Sequence, residues 1–379
     1  MNILIGGDLV PTPSDETLFK EKNISTLLGK ELQKEWEAAS YRIFNLETPI
    51  TDVKNPIPKT GPNLVASNET MQGIKALNPS LITLANNHIL DQGYEGLQET
   101  ENSLEKFGIP YIGAGKNLDK AQQPYIIDDK KARIGIYACA EHEFNIATNT
   151  VAGANPFDPL ESLDHVSELK QRCDYVIVLY HGGKEHYRYP SPQLQKNCRK
   201  LVEKGADVVI CQHSHCIGSS EIYLDSTIVY GQGNFIFNRK NNEFWNTSLL
   251  ISIKVDERLN LDYLPVTQGQ VGIRLANSEQ SNEILSDFQL RSEKIKEKDF
   301  LEKEYTKFAQ NQMEFYLRKF SGLNNLILKF DKRFLNSYYI KRRYNLRQLL
   351  DLQNYIECEA HRELILQGIK NEIHKKSHN

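Results

Sequence analysis

Cysteine is sparse in this chain of 379 residues: six are scattered along it and none forms a Cys-x-x-Cys pair. That spacing excludes a disulfide framework and points to a reduced, intracellular chain. No apolar run approaches the roughly 18 residues of a membrane span, and no charged leader with a long apolar stretch precedes the first strand. Asp8 follows Met1 within one short strand, so the expectation is a cytoplasmic protein. Excess charge is also missing. Lys and Arg number 46 and Asp and Glu 49, for a net charge of −3, so no nucleic-acid partner is expected. There are no internal repeats and no low-complexity segment.

What the chain does have is a series of apolar strands, each running into a polar, ligand-type residue. Val208-Val209-Ile210-Cys211 leads into His213-Ser214-His215. A β-branched run of this kind reads as a buried strand, and the turn after it presents two imidazoles. Four other segments repeat the pattern. Asn2–Gly7 ends in Asp8, Tyr41–Leu46 in Glu47, Leu81–Ala85 in Asn86-Asn87-His88, and Tyr175–Tyr180 in His181-Gly182-Gly183. Open α/β sheets bind ligands outside the carboxyl ends of their strands.

Singly, each residue has an ordinary reading. Asp8 can cap the next segment, and Glu47 can sit in a turn before Pro49. Asn86 and Asn87 can open the helix that follows, and His88 can be structural. The glycines after His181 suit a close approach of backbone and ligand. Cys211 and Cys216 flank the two histidines, but Cys211 lies in the apolar strand and reads as a small buried hydrophobe more readily than as a zinc ligand. The series as a whole carries the argument.

The order of motifs resembles a known family. Gly-Asp at 7–8 comes first, then Asn-Leu-Glu-x-Pro at 45–49 and Asn-Asn-His-x-x-Asp-x-Gly at 86–93. His-Gly-Gly at 181–183, His-Ser-His at 213–215 and Gly-Gln-Gly-Asn-Phe at 231–235 complete it. This is similar to the CapA-type capsule and poly-γ-glutamate synthesis proteins, a branch of the calcineurin-like metallophosphoesterases, over roughly residues 1–270. The resemblance implies an α/β fold, a four-layer α-β-β-α sandwich, with one or two divalent ions. It makes Glu47 the bridge. Asn87, His181 and His213 join it at one position, and Asp8 and His215 at a weaker one. His88 becomes the catalytic acid beside the substrate. Most metallophosphoesterases carry Asp-x-His in the first motif. Here Leu9-Val10 follows Asp8, which leaves the weaker position short of a ligand. Mixed nitrogen and oxygen donors suit Mn, Zn, Fe or Co better than Mg or Ca.

Residues 1–270 divide into alternating strands and helices, followed by a run of strands near 222–266. Successive strands without helices predict the second sheet of a sandwich. Residues 271–379 read as a helical extension over 302–320, 324–334 and 346–368, with 15 Lys and Arg against 9 Asp and Glu in 301–379. That extension is expected to cap the core or a partner subunit, or to meet a membrane surface or envelope assembly through Lys332-Arg333 and Lys341-Arg342-Arg343. Lys59, Lys184, His186, Arg188 and Asn234 are candidate contacts for a small-molecule or polymer substrate bearing phosphate or carboxylate. The expected activity is metal-dependent hydrolysis of a phosphoester linked to capsule, exopolysaccharide or poly-γ-glutamate metabolism. A non-catalytic, metal-stabilised scaffold and amide chemistry on a γ-glutamyl polymer are the alternatives.

Overall fold

A computed structural model describes residues 1–238 and 242–377. The chain forms two compact units, Met1–Leu301 and Glu302–Asn379.

The first unit is built on two sheets. In the larger, the strand order is Ile273–Leu275, Leu259–Gln268, Thr247–Val255, Asn2–Leu9, Tyr41–Leu46, Leu81–Thr83, Tyr111–Ile112. Asn2–Leu9 is central. It pairs in parallel with Tyr41–Leu46 and antiparallel with Thr247–Val255, and its residues from Ile3 onward are all buried. Burial on both faces explains its unbroken apolar sequence. The second sheet runs Ser220–Tyr223, Ser226–Val229, Val208–Gln212, Tyr175–His181, Arg133–Ala140, Tyr125–Asp128.

The sandwich is visible in the period-two alternation of the second sheet. Ile134, Ile136, Ile177, Leu179, Val208 and Ile210 share one apolar core with Ile3, Ile5, Ile43 and Ile82 of the first sheet. The residues between them, among them Tyr137, Val178, Tyr180 and Val209, pack instead on Val166, Leu169, Leu194 and Leu201 of helices Glu161–Arg172 and Pro192–Glu203. Helices on the other side of the first sheet bury Phe19, Leu32, Trp36 and Leu97. Trp36 stacks on Phe235 at 4.7 Å and its indole N–H donates to the Leu77 carbonyl at 2.7 Å. Each such fully buried Leu, Ile or Phe contributes about 1.5–3 kcal/mol. The result is the expected α-β-β-α sandwich.

One expectation changes. The late run of strands does not form a sheet of its own. Ser220–Tyr223 and Ser226–Val229 extend the second sheet, whereas Thr247–Val255, Leu259–Gln268 and Ile273–Leu275 return to the first. The free edge of Asn2–Leu9 accepts Thr247–Val255 and so becomes interior.

The sequence-based division falls near residue 270, yet helix Ser278–Lys294 belongs to the first unit. Asn277 opens it with a capping box, and Phe288 packs on Tyr263 at 4.9 Å. Arg291 Nε donates to the Gly218 carbonyl at 2.8 Å, just beyond the His-Ser-His turn.

The second unit is helical: the helix that starts at Phe300 runs to Phe320, followed by Asn325–Phe334, Tyr338–Arg343, Leu346–Glu357 and Glu359–Ser377. Asp331 is buried within it and accepts the backbone N–H groups of Tyr339 and Ile340. Among the described residues, no helix of the chain is long and apolar enough to cross a membrane.

Candidate metal centre

The parallel strands of both sheets end on one side, and their last residues meet there. Asp8 is the penultimate residue of its strand, and Glu47 follows Leu46 directly. His181 ends its strand, and His213 and His215 follow Gln212. Donor atoms of Glu47, His181 and His213 lie within 4.8 Å of one another, and so do those of Asp8, Glu47 and His215. Glu47 belongs to both groups. Asn87 joins the first, with Oδ1 3.1 Å from His181 Nε2. All six residues are buried.

The donor set fits a cation. Both carboxylate oxygens of Glu47 are buried without a hydrogen-bond partner, an arrangement that costs free energy unless a positive charge compensates it. His181 Nε2 lies 3.3 Å from Glu47 Oε1, and its Nδ1 lies 3.6 Å from Asp8 Oδ1. Burial works against a charged His181 ring, but Asp8 and Glu47 outweigh it and raise its pKa to about 10. Burial likewise pulls Asp8 up, while His181, His215 and Asn45 hold it down at about 2. His213 is pushed below its ordinary value by burial and by its two histidine neighbours. Thus one imidazolium offsets only part of the charge of the two buried carboxylates in the protein alone, where a divalent ion would neutralise both.

Backbone geometry sets the turn. His213 and His215 have φ of 80° and 54°, a left-handed conformation uncommon outside glycine. The turn is braced on several sides. Asp8 Oδ2 accepts the N–H of His213 at 3.2 Å, and Ser214 O accepts the N–H of His186 at 2.9 Å. Arg188 Nη1 donates to Ile217 O at 3.1 Å. Gly231–Phe235 lies against the first motif. Phe235 N–H donates to Asp8 O at 2.9 Å, and a Cβ on Gly7 would come within 2.0 Å of Gly233 O. Asn234 Oδ1 meets His215 Nδ1 at 2.8 Å.

His88 lies beside this cluster. Its Nδ1 is 2.5 Å from Asp91 Oδ2, which orients the ring. Lys59, read from sequence as a substrate contact, has a side chain only 2% exposed. Its ammonium is committed to Asp91 and stands 3.2 Å from His88 Nδ1. It therefore holds the His88–Asp91 pair. His186 and Arg188 stand on the loop that braces the turn: His186 Nε2 accepts from the Trp245 indole at 2.9 Å, and Arg188 lies 5.0 Å over Phe244. Lys184 is exposed.

Sequence reasoning missed Glu143. Its Oε2 accepts Asn87 Nδ2 at 2.8 Å and lies 3.8 Å from His213 Nε2. Holding the amide nitrogen turns Asn87 Oδ1 towards His181. Neighbouring Glu141 is raised above its ordinary value by burial, and it accepts the N–H of Gly183 at 3.0 Å. A Cβ on Gly182 would come within 2.6 Å of Glu141, so that glycine makes room for this carboxyl. Both acids follow the strand Arg133–Ala140 and carry the same strand-end signal as the rest.

Two facing sheets with carboxylate, histidine and asparagine donors gathered at their strand ends define an α-β-β-α sandwich with a candidate metal centre. The chain belongs to the bacterial capsule synthesis protein PGA_cap family, whose model matches residues 2–239. It is 26% identical over 238 residues to the PGA biosynthesis protein CapA of Bacillus subtilis, which covers 62% of each chain. It is 29% identical over 211 residues to the capsule biosynthesis protein CapA of Bacillus anthracis, covering 53% of this chain and 51% of the relative. The match therefore spans only about half to six tenths of these relatives. Among solved structures it is similar to a phosphatase from Mycoplasma pneumoniae, with TM-score 0.44 and 14% identity, covering 70% of this chain and 93% of that one. A putative 5′-nucleotidase from Staphylococcus aureus gives TM-score 0.43 and 14% identity, covering 76% and 58%.

Proposed function

We propose that this chain is a metal-dependent hydrolase of phosphoesterase type, acting on a phosphate- or carboxylate-bearing small molecule or polymer in the making of capsule, exopolysaccharide or poly-γ-glutamate. One observation carries the reading: both oxygens of Glu47 are buried without a hydrogen bond, and Glu47 is shared by two sets of donors. Asn87, His181 and His213 would hold one ion with Glu47, and Asp8 and His215 a second, weaker one. A bound divalent ion, Mn, Zn, Fe or Co by donor type, supplies Lewis acidity and lowers the pKa of water.

The remaining roles fall to the chain itself. His88 delivers a proton to the departing oxygen from Nε2, while Asp91 fixes the ring through Nδ1. Lys59 keeps Asp91 in place. Buried walls on both sheets exclude bulk water, which strengthens each charge–charge contact.

Leu9 and Val10, both buried, favour a second reading. Apolar residues stand where most metallophosphoesterases have a histidine ligand, so the weaker position has fewer donors. A metal-stabilised scaffold without turnover, or amide chemistry on a γ-glutamyl polymer, fits one ion as well as two.

The test is direct. Purified protein is expected to retain at least one tightly bound ion and to hydrolyse a generic phosphomonoester or phosphodiester with Mn²⁺. His213→Ala and Asn87→Ala should lose both properties. Less than one ion per chain, with no turnover above those variants, would sink the hydrolase reading.

A further inference from the structure

We propose that the second unit docks on an anionic lipid surface through helix Asn325–Phe334 and the basic run that follows it. Residues 315–347 hold nine Lys and Arg and a single acid, Asp331. Asp331 is buried and occupied by the N–H groups of Tyr339 and Ile340. Arg318 is paired with Glu314 at 2.7 Å. The charge that this stretch presents to solvent is therefore positive.

Helix Asn325–Phe334 joins that charge to an exposed apolar arc. Leu326, Ile327, Phe330 and Phe334 are 74%, 51%, 55% and 65% exposed. They stand at i, i+1, i+4 and i+8, which places them on one face at 3.6 residues per turn. Lys329 and Arg333 fall along one border of that face, and Asp331 lies on the buried side. Lys341-Arg342-Arg343 is exposed on the next helix, with Tyr338 and Tyr339 also outward. An apolar stripe bordered by Lys and Arg, with aromatic rings beside it, is the pattern of a helix lying in the headgroup layer.

The chemistry discriminates among occupants. A second copy would bring the same positive charge against itself. Nucleic acid or an acidic polymer would answer the charge but give Leu326 and Ile327 nothing apolar to enter. An anionic bilayer answers both.

The test is co-sedimentation of the full chain with vesicles of phosphatidylcholine alone, and of phosphatidylcholine with phosphatidylglycerol at three to one. Binding is expected only to the anionic vesicles, with loss as salt rises. Lys329→Glu with Arg333→Glu should lower the bound fraction at least tenfold, since each basic residue near such a surface is worth about fivefold in partition. Phe330→Ser with Phe334→Ser should also lower it, with circular dichroism unchanged because these residues are exposed. Absence of anionic-vesicle binding at low salt would overturn the proposal. So would binding that survives both pairs of substitutions. Phe330/Phe334-dependent dimerisation without vesicle binding would overturn it in favour of a second copy. Tighter binding to DNA or poly-γ-glutamate that ignores the Phe substitutions would overturn it in favour of a polyanion.

Discussion

His181 and His213 meet edge to edge, Nε2 of the first 3.1 Å from Nδ1 of the second, with ring centroids 4.7 Å apart at 60°. Two nitrogens this close leave room for one proton or one cation between their lone pairs, but not for two protons. The carboxylates decide which ring is charged: His181 is raised to about 10, and His213 is pushed down.

That asymmetry gives the metal-free protein a pH signature. The folded pKa of His181 lies above its ordinary 6.5, so its stabilisation is complete below that value and is lost as pH rises towards 10. Asp8 is lowered from 3.8 to about 2, so its stabilisation is present above 3.8 and is lost as pH falls through about 2. These are two views of one interaction and do not add. In EDTA, urea midpoints should fall from pH 6.5 to 10. With saturating Mn²⁺ that alkaline loss should disappear, because the ion takes the place of the proton. An alkaline loss of the same size with and without metal would contradict this account.

The two histidines of the turn should not be equivalent. His213 belongs to the group that Asn87 also joins, whereas His215 shares its group with Asp8 and Glu47 beside Leu9-Val10. Metal content after exhaustive dialysis should fall further in His213→Ala than in His215→Ala. The reverse order would reassign the stronger position.

Glu143 should act by aiming Asn87. Removing its carboxylate frees the Asn87 amide to rotate, so Glu143→Ala is expected to weaken metal binding by about tenfold to 100-fold. Glu143→Gln keeps an acceptor for Asn87 Nδ2 and should restore most of the loss. If Gln is as poor as Ala, the negative charge matters more than the orientation. Isothermal titration with Mn²⁺ separates the two.

Much of the site was readable because ligands at strand ends depend on local order alone: an apolar run, then one donor. That signal singles out Asp8, Glu47, Asn87, His181, His213 and His215, which the structure gathers in one place; the sandwich followed from the family resemblance. The same order is present at Glu141 and Glu143 after Arg133–Ala140, but these two lie outside the family motifs. The burial of Lys59 was not legible, since a lysine between prolines reads as a solvated loop until Asp91 is known to lie opposite it. Nor was the split of the late strands between sheets, which depends on a free edge about 250 residues earlier in the chain. The break between Leu346–Glu357 and Glu359–Ser377 has no sequence signal either. It turns on the extended backbone of Cys358, with φ −71° and ψ 119°, and cysteine is no helix breaker.

Lys59 therefore invites a test that separates structure from substrate binding. Lys59→Ala leaves Asp91 buried without its cation, which should cost about 3 kcal/mol in urea unfolding. A substrate contact would instead raise KM and leave stability intact. The buried pair predicts the first outcome, with a fall in kcat as His88 loses its fixed partner.

The left-handed turn at His213 and His215 also bears on how this chain could drift. Folding alone would favour glycine or asparagine at both positions, since either relieves strain of about 1–3 kcal/mol each. A lineage released from its chemistry would find those replacements within easy reach and would gain stability by accepting them. On the proposed reading, the turn gives up backbone stability for metal binding, as left-handed backbone does at functional sites.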